Sequence, residues 1–233
     1  MKVRYILFDI DDTLYDSTLQ MSTARMNAIR AMTQTGLPTE VETTYKVLEK
    51  IVEKYGPHYS RHFDELLERL GLKWDPRVIA SGVIAYRETS AAYLKPYPDT
   101  VPTLLKLRDQ GYRLGVISEG RAVKQWQKLV QLGVQHIPHL VIISEELGLE
   151  ALDSSLFKAA LERTDAQPGE TIFVGSKLEP DIVSANGLGV ITVRIRKGKN
   201  RIETPERDEA TPKYEIDRLS EIFDVIKKIE AKK

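Results

Sequence analysis

Two aspartates separated by one residue follow a short apolar segment near the start of the chain. Residues 5–8 read YILF, and Asp9, Asp11 and Thr13 come after them. Side chains two residues apart at the end of a strand point the same way, so the Asp9 and Asp11 carboxylates are expected to converge on one ligand. Two such charges repel by roughly 4 kcal/mol at an effective dielectric of 20, so the pair needs a cation or a shared proton. Either state suits phosphoryl or acyl transfer, whereas helix capping by Asp12 and Thr13 is the non-functional alternative.

Composition restricts the classes of protein and of metal site. The chain has 233 residues, 42% of them hydrophobic and 29% charged, which is typical of a globular protein. Lys plus Arg equals Asp plus Glu at 34 each, so no overall basic charge favours nucleic acid as a partner. The absence of Cys excludes disulfides, thiol catalysis and thiolate metal sites, and there are only 4 His. The available oxygen ligands therefore favour Mg²⁺ over zinc.

The sequence also carries expectations about location. The chain enters an apolar segment within a few residues of Met1 and shows no pattern typical of a signal or transit peptide. No run reaches the roughly 20 apolar residues that span a bilayer. We therefore expect a cytoplasmic protein without a membrane partner.

Apolar segments alternate with helical patterns over most of the chain, which predicts a doubly wound, Rossmann-like α/β core with a mostly parallel sheet. The predicted strands are residues 5–8, 113–117, 140–143, 171–174, 190–195 and 214–216. Ligands of such sheets bind beyond the carboxyl ends of the strands. The sequence therefore predicts that Asp9, Ser118 and the loop at Gly175 gather in one site.

The alternation stops between Asp16 and about Lys95, where helical patterns with Gly and Pro breaks follow one another. This predicts a helical cap of residues 16–95 inserted into a core of residues 1–15 and 96–233. His58 and His62 are four residues apart, which on a helix would allow a metal pair. Because no acidic third ligand stands nearby, a surface or packing role is the favoured interpretation.

The segment from Phe8 to Ser17 reads FDIDDTLYDS and resembles the first signature of the haloacid dehalogenase-like (HAD) hydrolases. Magnesium-dependent phosphatases dominate that superfamily. The resemblance implies that Asp9 is the nucleophile and Asp11 the general acid and base, and that the helical cap selects the substrate. Carboxylate nucleophiles do form aspartyl-phosphate intermediates. Haloacid dehalogenases usually lack the second aspartate, so Asp11 favours a phosphatase.

The second signature of the family is a Ser or Thr that closes an apolar strand, and Ser118 takes that position before Glu119 and Gly120. A hydroxyl group and the following backbone N–H groups can donate hydrogen bonds to phosphate oxygens, and glycine allows a close approach. We therefore expect Ser118, Glu119 and Gly120 to form the phosphate-binding loop. A helix cap is the alternative role for Ser118.

The third and fourth signatures depart from the family pattern. Ala151 stands where the resemblance implies a lysine, and Ser176 replaces the first of two acidic residues, while the second survives as Asp181. The resemblance thus implies a Mg²⁺ site formed by Asp9, Asp11, Asp181 and, as a weaker ligand, Ser176. Lys177 is a candidate replacement for the missing lysine or for part of the charge of the cation; a solvent-facing loop lysine is the alternative.

These observations predict a Mg²⁺-dependent phosphatase of small phosphorylated metabolites that acts through aspartyl phosphate. Archaeal relatives that resemble this chain act on glyceraldehyde 3-phosphate, which makes triose or sugar phosphates a plausible substrate class. The alternative is a catalytically impaired HAD-like protein that binds a phosphometabolite or a protein partner, because removing one electrostatic stabiliser commonly costs about a hundred- to a thousandfold in rate. We expect a monomer or a small homo-oligomer.

Overall fold

A six-stranded parallel sheet forms the centre of the protein. The computed structural model describes residues 2–57, 59–149 and 153–231. The strands are β1 (Tyr5–Phe8), β2 (Arg113–Ser118), β3 (Leu140–Ile143), β4 (Thr171–Gly175), β5 (Ile191–Ile195) and β6 (Tyr214–Ile216). Their order is β3-β2-β1-β4-β5-β6, and all neighbouring pairs are parallel. The predicted α/β fold class is confirmed.

The strand register explains why the signature residues meet. Phe8, the last residue of β1, is paired with Val116 of β2 and Val174 of β4. The three strands therefore end at the same edge of the sheet, and the loops that follow them begin side by side. The strand order changes direction on either side of β1, which places this edge at the topological switch point where such folds bind ligands.

Helices follow most of the strands and cover the sheet. They are α1 (Ser17–Gln34), α2 (Val41–Tyr55), α3 (His62–Arg69), α4 (Pro76–Tyr93), α5 (Thr100–Asp109), α6 (Ala122–Gln131), α7 (Ser154–Thr164), α8 (Val183–Gly187) and α9 (Ile222–Ala231). Buried apolar side chains lie on both sides of the sheet; Phe8 and Val116 belong to one cluster, and Leu7 and Phe173 to the other. No helix in the described part of the chain is long and apolar enough to cross a membrane.

The chain folds into two compact units, residues 1–17 with 94–233 and residues 18–93. The second unit is helical and has its own core, in which Met32, Leu48, Ile51 and Leu66 are fully buried. The apolar face of α2 is a packing surface, because Leu48 and Ile51 face this core. The predicted limits of the cap, residues 16–95, and its role in substrate selection stay a prediction.

The loop after β5 packs closely against the loop after β1. Gly198 has φ 59° and Asp12 has φ 53°, so both lie in the left-handed region. A Cβ atom on Gly198 would overlap the carboxyl group of Asp12, which is itself buried. The close approach of the two loops therefore requires glycine at residue 198.

We expect Gly198→Ala to be more destabilising than Gly133→Ala. Gly133 also has positive φ, 72°, but a Cβ atom there meets nothing within 4 Å. A left-handed backbone costs an alanine roughly 1–2 kcal/mol, and overpacking adds about 1–3 kcal/mol at residue 198 only. Urea unfolding of the two variants measures the difference, and equal losses of stability would refute the proposed overlap with Asp12.

Candidate active site

Asp9 lies at the centre of the switch-point edge. Its backbone N–H continues the sheet by donating to the carbonyl oxygen of Val174 at 3.0 Å, which fixes the residue at the end of β1. The side chain is only 2% exposed. Its Oδ1 atom accepts a hydrogen bond from the hydroxyl group of Ser118 at 3.2 Å, while Oδ2 is buried without a partner. The structure therefore brings the predicted nucleophile and the predicted phosphate-binding hydroxyl into contact.

The pKa of Asp9 is raised from its ordinary value to about 7. Burial is the main cause, because removing a carboxylate from water penalises its charged form. The positive charge of Lys177 acts in the opposite direction, and the negative charge of Asp11 adds to the effect of burial. A carboxylate in this environment needs a cation close by if it is to be ionised.

Asp181 is the second buried carboxyl group of the site. It is fully buried, and both of its carboxyl oxygens lack a hydrogen-bond partner. Burial and then the negative charge of Asp9 raise its pKa well above the ordinary value. Asp9 and Asp181 thus present three buried carboxyl oxygens that no protein donor satisfies in the described part of the chain.

Ser176 stands at the position where the family pattern has a carboxylate, and it lies beside the backbone of the first signature. Its hydroxyl group is buried and donates to the main-chain oxygen of Asp11 at 3.5 Å. A hydroxyl group has no charge, so Ser176 can be only a weak oxygen ligand of a metal ion. The negative charge of the site comes from the neighbouring carboxyl groups.

Lys177 is not a freely solvated loop lysine. Its Nζ atom donates to Oε1 of Glu119 at 2.7 Å. Burial opposes the ammonium charge, but the negative charges of Asp9 and Asp181 and the bond to Glu119 outweigh it, so the pKa of Lys177 is raised. The ammonium group is therefore bound to Glu119 and close enough to Asp9 and Asp181 for their charges to act on it.

The loop after β2 is shaped by internal hydrogen bonds. Gly120 has φ 111°, and its N–H donates to the hydroxyl group of Ser144 at 2.9 Å. The carbonyl oxygen of Glu119 accepts from the side-chain amide of Gln125 at 2.8 Å. Within the predicted phosphate-binding loop, Ser118 thus contacts Asp9 and the Glu119 side chain binds Lys177. The Gly120 N–H already donates to Ser144.

Asp11 is bound by two groups that the sequence analysis did not identify. Lys128 of α6 donates to both carboxylate oxygens, at 2.8 Å and 2.7 Å, and the Tyr15 hydroxyl donates to Oδ1 at 2.6 Å. Burial would raise the pKa of Asp11, but the charge and hydrogen bonds of Lys128 and the bond from Tyr15 lower it below its ordinary value. No sequence pattern identifies Lys128, because Lys124 and Gln127 also occupy polar positions of the same helix.

The oxygen atoms of the site fit a hard cation better than a transition metal. In the described residues, no three His, Asp or Glu side chains form a ready metal cluster. The Asp11 carboxylate, expected as a ligand, is turned to Lys128 and Tyr15. The unpartnered oxygens of Asp9 and Asp181 remain, and Mg²⁺ is commonly held by one or two carboxylates together with substrate phosphate. The donor set therefore fits Mg²⁺ through Asp9 and Asp181.

The other sequence candidates lie elsewhere or outside the described residues. Ala151 and His58 fall outside the described residues. The His62 ring lies 3.0 Å from the carbonyl oxygen of Gly56, and burial lowers the pKa of this histidine.

The segment 194–201 carries five basic residues, and the first of them is buried. Arg194 is 2% exposed and donates to the carbonyl oxygens of Asn200 and Glu203 and to the carboxylate of Glu215. Burial of this arginine fixes the loop that carries Gly198.

A Rossmann-like sheet with paired aspartates after its first strand defines an α/β enzyme with a carboxylate site at the switch point. The model of the haloacid dehalogenase-like hydrolases matches residues 3–189. The chain is 46% identical over 229 residues to a glyceraldehyde 3-phosphate phosphatase of Methanopyrus kandleri, which covers 97% of this chain and 98% of that protein. It is 40% identical to a protein of the same name from Methanocaldococcus jannaschii, with 97% and 98% covered.

Solved structures agree on the fold. The HAD-hydrolase YfnB of Bacillus subtilis, whose crystal structure is bound to magnesium, superposes with a TM-score of 0.70 at 20% identity and covers 97% of this chain and 99% of its own. The chain therefore belongs to the haloacid dehalogenase-like hydrolases, and the predicted family and hydrolase class are confirmed.

Proposed function

We propose that the protein is a Mg²⁺-dependent phosphatase of small phosphorylated metabolites, with triose or sugar phosphates as the preferred class. The observation that carries the proposal is the Asp9 carboxyl group, held by Ser118 with its Oδ2 atom buried and unpartnered. The relatives named glyceraldehyde 3-phosphate phosphatase, which match almost the whole chain, support the substrate class. Cytoplasmic residence and a monomeric or small oligomeric state stay predictions.

In the proposed reaction, the Asp9 carboxylate attacks phosphorus and the bond to the leaving oxygen breaks. The Ser118 hydroxyl and the Lys177 ammonium bind the phosphoryl oxygens, where negative charge increases. Water then attacks the aspartyl phosphate, and Asp9 leaves as a carboxylate. Asp11 is assigned as the base for this water, a role that Lys128 and Tyr15 favour because they lower its pKa, and as the acid that passes a proton to the leaving oxygen.

Asp9 and Asp181 would hold the magnesium ion, together with the Ser176 hydroxyl and the main-chain oxygen of Asp11. When bound, it neutralises the two buried carboxylates and the negative phosphoryl oxygens. Two side chains orient the reacting groups: Ser118 binds the Asp9 carboxyl group, and Glu119 binds the Lys177 ammonium group.

A phosphometabolite-binding protein without significant turnover is the second candidate. The neutral Ser176 and the Lys177 ammonium favour it, because together they replace a metal-binding carboxylate by a hydroxyl group and a fixed positive charge. Such a site retains the groups that bind an anion but holds a divalent cation more weakly.

Phosphate release from a panel of phosphomonoesters distinguishes the two functions. We expect turnover of glyceraldehyde 3-phosphate, glycerol 3-phosphate and sugar phosphates in Mg²⁺, and a loss of at least about a hundredfold when EDTA removes the metal. Calcium, which prefers more ligands than two carboxylates provide, serves as the control cation and should not restore full activity. Binding of inorganic phosphate without turnover of any ester would favour the binding protein.

A further inference from the structure

The contact between Lys128 and Asp11 has no role in the reaction proposed for Asp9, Ser118 and Lys177. Lys128 lies in the last turn of α6, and its side chain reaches from the helix to the loop after β1. Its Nζ atom is within hydrogen-bond distance of both Asp11 oxygens, and its side chain remains 21% exposed. A lysine that served only as a surface ion pair would contribute little to stability, since the median of such pairs is about 0–1 kcal/mol.

The position of Asp11 determines what Lys128 can reach. In the proposed function, Asp11 faces the leaving oxygen of the substrate. A leaving oxygen that is hydrogen-bonded to Asp11 would lie about 2.8 Å from a carboxyl oxygen of Asp11. The Lys128 ammonium group lies at a similar distance from the same carboxyl group, so the leaving oxygen and the ammonium group would be neighbours around Asp11. The Lys128 ammonium group has three N–H donors, and its Nζ atom contacts both Asp11 oxygens.

We propose that Lys128 is a further catalytic residue, whose ammonium group stabilises the negative charge that develops on the leaving oxygen. Asp11 holds Lys128 in place through both carboxylate oxygens, and Tyr15 fixes Asp11 through a hydrogen bond of 2.6 Å. The fixed ammonium group stabilises the transition state more than the ground state, because negative charge develops on the leaving oxygen only as its bond to phosphorus breaks. The inference rests on the proposed phosphatase function.

Leaving-group dependence separates this role from a structural one. An alkoxide leaving oxygen, as in glycerol 3-phosphate, carries much more negative charge in need of stabilisation than the nitrophenolate of p-nitrophenyl phosphate. We expect Lys128→Met to lower kcat/KM about a hundredfold for glycerol 3-phosphate and less than about fivefold for p-nitrophenyl phosphate. The inhibition constant of inorganic phosphate, which has no leaving alcohol, should change by less than about twofold.

Two further variants complete the experiment. Lys124→Met removes an exposed lysine one turn earlier on the same helix and should leave both substrates unaffected. Lys128→Arg keeps the charge and should recover about tenfold of the lost rate on glycerol 3-phosphate. If methionine prevents folding, as shown by the loss of a cooperative thermal transition, Lys128→Gln replaces it in the same comparison.

Each outcome decides the inference. A large loss confined to glycerol 3-phosphate supports it. Equal losses on the two substrates, or no loss on either, would overturn it and leave Lys128 as a structural ion pair while the phosphatase function stands. Absence of turnover in the unmodified protein would overturn the phosphatase function and this inference with it.

Discussion

Asp9→Asn should abolish turnover of every phosphomonoester, with a loss of at least about a thousandfold in kcat. An amide cannot act as the nucleophile, and it also cannot hold Mg²⁺ as a carboxylate does. The amide fits the site, because it is nearly the same size as the carboxyl group and burial already disfavours the charge there. Steady-state phosphate release in Mg²⁺ measures the effect.

The structure offers a control for Asp9→Asn. Asp109→Asn makes the same chemical change at the exposed end of α5, and its activity should equal that of the unmodified protein. We also expect Asp9→Asn to unfold at a temperature no lower than the unmodified protein, since the substitution removes a buried ionisable group. Phosphatase activity that persists in Asp9→Asn would refute the nucleophile and the aspartyl-phosphate route.

Lys177→Met should weaken the binding of inorganic phosphate by at least about a hundredfold, because charge-assisted hydrogen bonds are among the strongest that a protein forms with an anion. The loss has a second cause. Without Lys177, the buried carboxyl groups of Asp9 and Asp181 lose the positive charge that acts most strongly on both, and their negative charge opposes the phosphate. Calorimetric titration with inorganic phosphate alone measures the affinity without requiring turnover.

Lys158→Met is the matched control for Lys177→Met. Lys158 follows Phe157 on α7 and is exposed, so its loss should leave phosphate affinity unchanged. Glu119→Gln is informative as well: it replaces the charged acceptor that holds Lys177 by a neutral amide oxygen, and we expect an intermediate effect of about tenfold. Unchanged affinity in Lys177→Met would show that the ammonium group does not replace the missing lysine at residue 151.

The sheet was predictable from the sequence because buried parallel strands are continuous apolar runs, and short segments such as Ile172-Phe173-Val174 recur between helical patterns along the chain. Strand β2 extends to Ser118, one residue beyond the prediction, and β5 begins at Ile191, one residue later. Such ends depend on backbone pairing with neighbouring strands, which the sequence of one segment does not contain.

The site was predictable only where its residues follow a strand directly. Asp9 and Ser118 met as expected because the ends of β1 and β2 are adjacent and each residue continues its strand. Lys128 was missed because its approach to Asp11 depends on the length of one flexible side chain and on the packing of α6. Likewise, the ion pair of Lys177 with Glu119 joins two loops that are 58 residues apart in the sequence.

Arg194 has a consequence for redesign of the loop after β5. Apart from its bond to Glu215, this buried arginine is bonded to main-chain carbonyl oxygens, those of Asn200 and Glu203. Every amino acid has a main-chain carbonyl oxygen, so these hydrogen bonds of Arg194 depend on the conformation of the backbone and not on the side chains of the two residues that accept them. Replacement of the side chain of Asn200 or Glu203 should therefore leave this anchor intact, so that the neighbouring glycine keeps its position beside the active-site loop.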